Sequence, residues 1–418
     1  MRVRDQIYVL HGARRAALYD DNSKVCSALD DAQVRILCAL AEGRRPRAKD
    51  LSLETGQFWK AVADMNQRGW LEAGRPVPRS LLPPVAAANG EFVLPDRFKH
   101  VWLELTDSCN LTCMHCYAES GPQRSRAGEL SIEQWTGVVD KFLDWGVEQF
   151  TFIGGEPTIR MDVIEAVAAH IRSRSQDVTI CIFSNLVSVP TLPRVVPKLK
   201  QWNIQIGTSL YGASGKEHDT TTGKIGSWVK TVANVRLLLD EGIRVFAGIY
   251  TDLSDGADDK KTRLEAWARE LGLKHFDVVA SSQVGRGTEL CWAESNDLNS
   301  LPGPMSYGFA RWDRAGTYHN CFHDHLAIGA RGEVMSCIMQ RETDIGDVTE
   351  MSVEDIISTS SFKQKAYLGK DNIETCSQCE FRYACFDCRP SAIGPDGHAH
   401  AKPDCGYDPL RDLGEALQ

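Results

Sequence analysis

From His100 onward, short apolar runs alternate with longer stretches in which apolar residues recur every three or four positions. The short runs predict strands buried on both faces, at His100–Thr106, Phe150–Ile153, Val178–Phe183, Ile204–Leu210, Arg244–Tyr250 and His275–Val279. The longer stretches predict amphipathic helices at Ile132–Trp145, Arg160–Arg174, Trp228–Glu241 and Lys260–Leu271, with a weaker one at Leu192–Lys200. Strands that alternate with helices form right-handed parallel βαβ units. Six such strands rather than eight predict an incomplete (β/α)6 barrel within an α/β fold. Its chemistry is expected in the loops at the C-terminal ends of the strands.

The flanking segments have a different rhythm. Residues 1–75 read as a small separate unit: a strand pair around Gln6–His11 and Ala16–Asn22, a helix over Asp30–Glu42, a second near Ser52, a third over Phe58–Arg68, and a short strand at Trp70. That order predicts a winged-helix-like module. Residues 76–99 open on a Pro-rich run and read as a linker. The barrel then occupies 100–300 and a Cys-dense region 301–418. From Cys321 the chain is loop-rich, with a helix expected only at Ser352–Lys365. So little apolar material predicts that bound metal supplies the order.

Composition narrows the class. The chain has 418 residues, 43% hydrophobic and 25% charged, which suffices for a real core. A formal net charge of −9 argues against a bulk nucleic-acid or anionic-membrane binder. There is no apolar run of membrane-spanning length, and the start Met-Arg-Val-Arg-Asp-Gln lacks signal-peptide character. The expected compartment is the cytoplasm. There, 14 cysteines point to metal or catalysis rather than disulfides. Cys26, Cys38 and Cys181 stand alone and read as small buried hydrophobes, with Cys291 a weaker ligand candidate.

Two groupings carry chemistry. Cys109, Cys113 and Cys116 follow the first barrel strand with C-x3-C-x2-C spacing. Three thiolates on a four-iron cluster leave one iron open for a substrate or cofactor. A zinc site is the bland alternative. Strand two ends in Gly154-Gly155-Glu156-Pro157, where glycines admit close approach to the backbone and a carboxylate can accept from an ammonium. Ser184 and Asn185 after strand three, Thr208 and Ser209 on strand four and Gly248 on strand five are weaker pocket candidates. The second grouping is the tail: Cys321, Cys337, Cys376, Cys379, Cys385, Cys388 and Cys405. Two C-x2-C pairs there could hold one zinc ion, leaving three cysteines unexplained.

The triplet, with aromatic Tyr117 directly after it, and the Gly154–Pro157 run resemble the radical S-adenosylmethionine (SAM) enzymes. The resemblance implies that the open iron binds SAM and that reductive cleavage yields a 5′-deoxyadenosyl radical. The tail resembles the SPASM extension, which implies two auxiliary [4Fe–4S] clusters and three in all. Carried over, Cys376, Cys379, Cys385 and Cys405 hold the outer cluster; Cys321, Cys337 and Cys388 hold the inner one. That leaves the inner cluster to be completed by Cys291 or a non-cysteine group. This chain has two residues between Cys385 and Cys388 where the common pattern has three.

The run Cys379-Glu-Phe-Arg-Tyr-Ala-Cys-Phe-Asp-Cys-Arg-Pro390 looks like the branch that modifies ribosomally made peptides. Members of that branch often begin with a PqqD-like domain, which implies a leader peptide added as a strand to a sheet edge. The expected activity is an oxidative crosslink (carbon–carbon, ether or thioether) in a precursor peptide, with flavodoxin or ferredoxin as reductant. Rival readings are oxidation of a protein Ser or Cys, epimerisation of a peptide, action on a small molecule, or an iron–sulfur redox sensor binding DNA through the arginines of residues 1–75. Asp324, His323, His325 and Asp387 lie close to tail cysteines, and none is assigned as acid or base.

Overall fold

A computed structural model of the chain describes residues 1–84, 95–188, 192–251, 257–280, 284–289, 305–306, 316–341, 343–385 and 407–410. The chain divides into two compact units: Met1–Glu91 with Asn296–Asn320 and Tyr367–Gln418, and Phe92–Ser295 with Cys321–Ala366.

In the first unit, β1 (Arg2–Val3) precedes an antiparallel meander of β2 (Ile7–His11), β3 (Ala16–Asp20) and β4 (Val25–Leu29). The strand β4 is missing from the sequence reading, because Val-Cys-Ser-Ala-Leu has no clear alternation. Helix α1 (Asp31–Ala41) starts on a capping box: Asp30 accepts from the Gln33 amide at 2.7 Å, and the Gln33 side chain accepts from the Asp30 amide at 3.0 Å. Two further helices were expected, but one follows, α2 (Thr55–Gln67), after a single 3-10 turn at Ala48–Leu51. Ser52, with φ of 55°, interrupts the helical path between them. Next, β5 (Leu71–Glu72) returns to pair with β1.

The second unit alternates strand and helix: β6 (His100–Glu104), α3 (Ile132–Asp144), β7 (Gln149–Ile153), α4 (Met161–Arg174), β8 (Thr179–Phe183), α5 (Leu192–Gln201), β9 (Ile204–Leu210), α6 (Gly215–Thr222), α7 (Ser227–Asp240), β10 (Val245–Tyr250), α8 (Ala257–Glu270) and β11 (His275–Val279). Strands β6 to β11 are all parallel and lie side by side in chain order. Alternation sorts their side chains. Val101, Leu103, Phe150, Phe152, Ile180 and Ile182 join the helices in the main core, while Trp102, Ile153 and Phe183 face a second, smaller apolar cluster.

Beyond α8 and β11 the chain contributes β12 (Met305–Ser306), which pairs with β4 in the first unit. In the second unit, β13 (His325–Ile328) adds to β6 in parallel, and β14 (Glu333–Met335) and β15 (Gly346–Asp347) continue antiparallel. The region from Cys321 is thus less loop-rich than expected; these strands are too short for periodicity to reveal. The helix expected at Ser352–Lys365 is two helices, α9 (Val353–Ser358) and α10 (Ser360–Ala366), broken where Thr359 turns extended at φ −62° and ψ 147°. Among the described residues, no helix is long and apolar enough to cross a membrane.

Candidate functional site

The loop after β6 carries Cys109, Cys113 and Cys116, and it is held from several sides. The Cys109 amide donates to Gly121 O at 3.2 Å; the amides of Thr112 and Met114 donate to Thr222 O at 3.2 Å and Thr221 O at 3.0 Å. Arg286, just after β11, clamps the loop. Its Nε donates to Cys113 O at 2.9 Å, its Nη2 to Ser120 O at 3.0 Å, and its amide to Cys116 O at 3.1 Å. Gly285 must be glycine here: φ is +57°, and a Cβ would lie 2.4 Å from Tyr117 O.

The thiols fit a metal cluster. Burial pushes Cys109 and Cys113 up to about 12, with neighbouring cysteines adding to the effect. Loading with iron must therefore displace protons. The Leu111 amide donates to Cys109 Sγ at 3.4 Å, the kind of bond that tunes cluster potentials. Among the described residues, no three His, Cys, Asp or Glu side chains converge tightly enough to hold a single ion.

The Gly154–Pro157 run lies directly against this loop. The Gly155 amide donates to Thr106 O at 2.8 Å and the Glu156 amide to Ser108 O at 3.0 Å. Only glycine permits this approach: a Cβ on Gly154 would lie 2.4 Å from Thr106 O, and one on Gly155 would lie 2.3 Å from Ser108 O. Glu156 caps the 3-10 turn that Pro157 opens.

The Glu156 carboxylate is buried and takes four protein donors. Oε1 accepts from the Thr158 amide at 3.1 Å, Thr158 Oγ1 at 2.5 Å and Ser184 Oγ at 2.8 Å; Oε2 accepts from the Asn185 amide at 2.8 Å. Burial raises its pKa and these bonds oppose the rise. Through these bonds Glu156 holds the strand-three loop in place, while Oε2, with one protein donor, keeps capacity to accept from an ammonium. Asn185 reaches onward: Nδ2 donates to Asn110 Oδ1 at 2.7 Å and lies 3.8 Å from Cys109 Sγ. Glu156, Ser184, Asn185 and Cys109 thus form one connected site.

An aromatic wall faces the triplet. The His115 ring lies 4.6 Å from Tyr211 and 6.1 Å, near parallel, from Tyr250. Ser209 is half-buried beside this wall, and Thr208 is buried. Gly248 leaves room for the Tyr250 ring, which a Cβ would meet at 2.7 Å. Tyr117 turns away to the interior: its hydroxyl donates to Glu104 Oε1 at 3.3 Å. Arg341 Nη1 meets both Glu104 oxygens at 2.6 Å.

Of the tail cysteines, Cys321 sits before β13 and Cys337 after β14, where the Met339 amide donates to Cys337 Sγ at 3.4 Å. In the first unit, Cys376, Cys379 and Cys385 follow one another through successive turns. There, Cys379 packs beside fully buried Cys26, whose thiol burial pushes up to about 12. Cys181 is buried too, and Cys38 is half-buried. Cys291, Cys388, Cys405 and Asp387 lie outside the described residues.

His115, Arg286, Glu104 and Arg341 escaped the sequence reading. The aromatic ring within the cysteine triplet, Gly-Arg-Gly after the last strand, and a carboxylate in an apolar strand were their signals.

Residues 103–261 match the radical SAM superfamily and residues 321–380 the SPASM iron-sulfur cluster-binding domain. The antilisterial bacteriocin subtilosin biosynthesis protein AlbA of Bacillus subtilis is 29% identical over 206 residues, 49% of this chain and 43% of AlbA. The chain therefore spans less than half of that relative. The AdoMet-dependent heme synthase of Methanosarcina barkeri is 29% identical over 341 residues, 73% of this chain and 95% of its own. Among solved structures, anSMEcpe with bound AdoMet has a TM-score of 0.57 at 15% identity, covering 72% of this chain and 92% of that one. Streptococcus suis SuiB bound to precursor peptide SuiA has a TM-score of 0.54 at 13% identity, covering 96% and 98%. At such identities the likeness is one of fold. The chain carries a radical SAM enzyme domain at residues 103–261 and an iron–sulfur SPASM domain at residues 321–380.

Proposed function

We propose that this chain is a radical SAM peptide maturase. It binds the leader of a ribosomally made precursor peptide and installs an oxidative crosslink in the peptide's core. The observation that carries the radical half is the single network from Cys109 through Asn185 to Glu156 at the C-terminal ends of parallel strands. In this reading Cys109, Cys113 and Cys116 hold a [4Fe–4S] cluster, the cofactor that supplies one-electron cleavage of SAM. The Gly154–Pro157 backbone, Ser184, Asn185 and Ser209 bound the SAM pocket, with His115, Tyr211 and Tyr250 as a face for the adenine. Tyr117 serves the site from behind, through Glu104. Two auxiliary clusters bring the complement to about twelve irons. Cys376, Cys379, Cys385 and Cys405 hold the outer cluster; Cys321, Cys337 and Cys388 hold the inner one. The strands from β6 to β11 act as a partial barrel, and a flavodoxin or ferredoxin supplies the electron.

The peptide half is supported by AlbA, whose name places it in bacteriocin biosynthesis, and by the SuiB complex with a precursor peptide. The first unit adds a physical reason. We read its strands and helices as a winged-helix-like recognition module. Met305–Ser306 already pairs with β4 at Val25 and Cys26. A groove at the end of β4 is lined by Leu29, Leu53, Gln57, Lys60 and Arg68. An extended peptide would find main-chain partners on the strand and side-chain pockets toward α2.

A second reading, synthesis of heme, is favoured by the heme synthase that matches over 95% of its own length. One experiment separates the two. The precursor peptide encoded beside this chain is incubated anaerobically with reconstituted enzyme, SAM and a strong reductant. The maturase reading requires loss of a pair of hydrogens, with fragmentation blocked between two residues. An unchanged peptide, together with formation of heme from an added iron porphyrin precursor, would replace that reading with the second.

A further inference from the structure

We propose that Arg341 binds a backbone carbonyl of the substrate peptide and seats the peptide's core beside the cysteine triplet; this rests on the peptide reading above. The case begins with Glu104. It lies on β6, five positions before Cys109, and side-chain alternation puts it on the same face as Trp102. The neighbouring strand sets Ile153 level with Glu104. Trp102, Ile153, Phe183, Tyr117 and Met339 belong to one small interior cluster. A carboxylate that is 1% exposed among such neighbours must be paired. Arg341 Nη1 donates to both of its oxygens at 2.6 Å. Tyr117, next to Cys116, donates to Oε1 at 3.3 Å and so joins the pair to the triplet loop.

That pairing uses one corner of the guanidinium. A fork-to-fork pair would engage two nitrogens. Here Nη1 alone takes both oxygens, and it also lies 3.5 Å from Ile338 O. Among the described residues, nothing accepts from Nε or Nη2. The Arg341 side chain is 36% exposed, so these left-over donors are open while the carboxylate that anchors them is not. Charge decides what they take. Glu104 already balances the guanidinium. A second carboxylate would leave the group net negative against an apolar surface, where charge is poorly screened. A neutral acceptor carries no such penalty and gains a charge-assisted bond. The neutral acceptor that a peptide offers at every residue is its backbone carbonyl. Trp102, Ile153, Phe183 and Met339 are then apolar walls for the side chains on either side. Lysine could not do the same: its point charge would sit on Glu104 and present no oriented edge.

The test measures equilibrium binding of the precursor peptide encoded beside this chain to the reconstituted full-length enzyme with SAM. The leader's share is common to every comparison and cancels in the ratios. R341K keeps a cation on Glu104 and loses the free edge, so Kd should rise about 10- to 100-fold, the worth of a hydrogen bond from a charged donor. In the wild type, backbone esters placed singly along the core, each carbonyl a poorer acceptor than an amide's, should weaken binding at one or two adjacent positions. Those same esters should cost nothing further in R341K. Equal Kd for wild type and R341K would overturn the proposal. So would an ester scan that is flat on the wild-type enzyme, a measurement that needs no variant to fold. Binding that weakens only when the core's acidic groups are amidated would give the arginine edge to a carboxylate and reject the neutral acceptor. A precursor that the wild-type enzyme leaves unchanged in mass would instead overturn the peptide reading beneath it, and the proposal with it.

Discussion

The backbone amide of Asn185 donates to Oε2 of Glu156 at 2.8 Å. The same carboxylate takes three more donors from Thr158 and Ser184, and the Asn185 side chain touches the cysteine loop. Glu156→Gln turns one acceptor oxygen into a donor inside this closed set. Hydrogen bonds to a charged group contribute about 1.5–3 kcal/mol each, so SAM affinity should fall by about 10- to 100-fold. Equilibrium binding of SAM to the reconstituted protein checks this. An unchanged Kd would mean that Glu156 does not organise the pocket.

Gly155→Ala tests the seat of the cysteine loop. The added methyl would lie 2.3 Å from Ser108 O and 2.7 Å from Ser108 C, both backbone atoms with little freedom to move. Overpacking of this kind costs roughly 1–3 kcal/mol. Here the strain falls on the loop carrying Cys109. Iron retained at that cluster should drop, while a control substitution at exposed Gly242, which faces open space, is confounded by its φ of +73°. Gly137→Ala is the cleaner control: it lies in α3, and nothing stands within 4 Å. Equal iron in the Gly155 and Gly137 variants would reject the argument.

How much of this was legible in the sequence follows from the range of each signal. The parallel strands β7, β8 and β9 were readable because they are buried along most of their length, whereas β10 alternates and β11 buries only Val278. The Gly154–Pro157 run was readable because a double glycine at a strand end needs a reason, and the close approach to Thr106 and Ser108 is that reason. The bonds by which Glu156 ties down Ser184 and Asn185 were not, because those partners come from a different strand end. Arg286 lies far along the chain from Cys113, and only folding brings them together. Short β13 and β14 carry too few residues to show a period, so the pairing of β13 with β6 was out of reach.

The ion pair of Glu104 and Arg341 joins β6 to the segment after Cys337, with Tyr117 as third member. Glu104 is 1% exposed and the Arg341 side chain 36%. Removing one partner from a buried pair costs about 3–5 kcal/mol, because the other charge stays behind. Partial exposure of the arginine places Arg341→Met near about 3 kcal/mol. Glu104→Gln with Arg341→Met should cost less than the sum of the singles, since no charge is stranded. Denaturant unfolding of the four proteins gives the coupling directly. Additive losses would show that the pair is too well solvated to matter.

Acid should loosen the fold through two histidines, His218 buried and His100 half-buried. Burial pushes His100 down to about 3, with nearby His325 adding to the effect; its Nε2 is 2.8 Å from Thr151 Oγ1. Burial pushes His218 down to about 4 against the opposing charge of Asp219; its Nδ1 accepts from the Tyr211 amide at 3.3 Å. Unfolded, both titrate near 6.5. Between the folded and unfolded values the unfolded chain binds more protons, so stability falls as pH drops below about 6.5. At pH 5 each histidine should cost about 2 kcal/mol relative to neutral pH. His100→Gln keeps a polar partner for Thr151 and removes one titrating group. Its stability loss between neutral pH and pH 5 should be smaller than the wild type's by about that amount, a difference in which any acid loss of iron cancels. Parallel pH profiles for the two proteins would mean that His100 takes up its proton without leaving the fold.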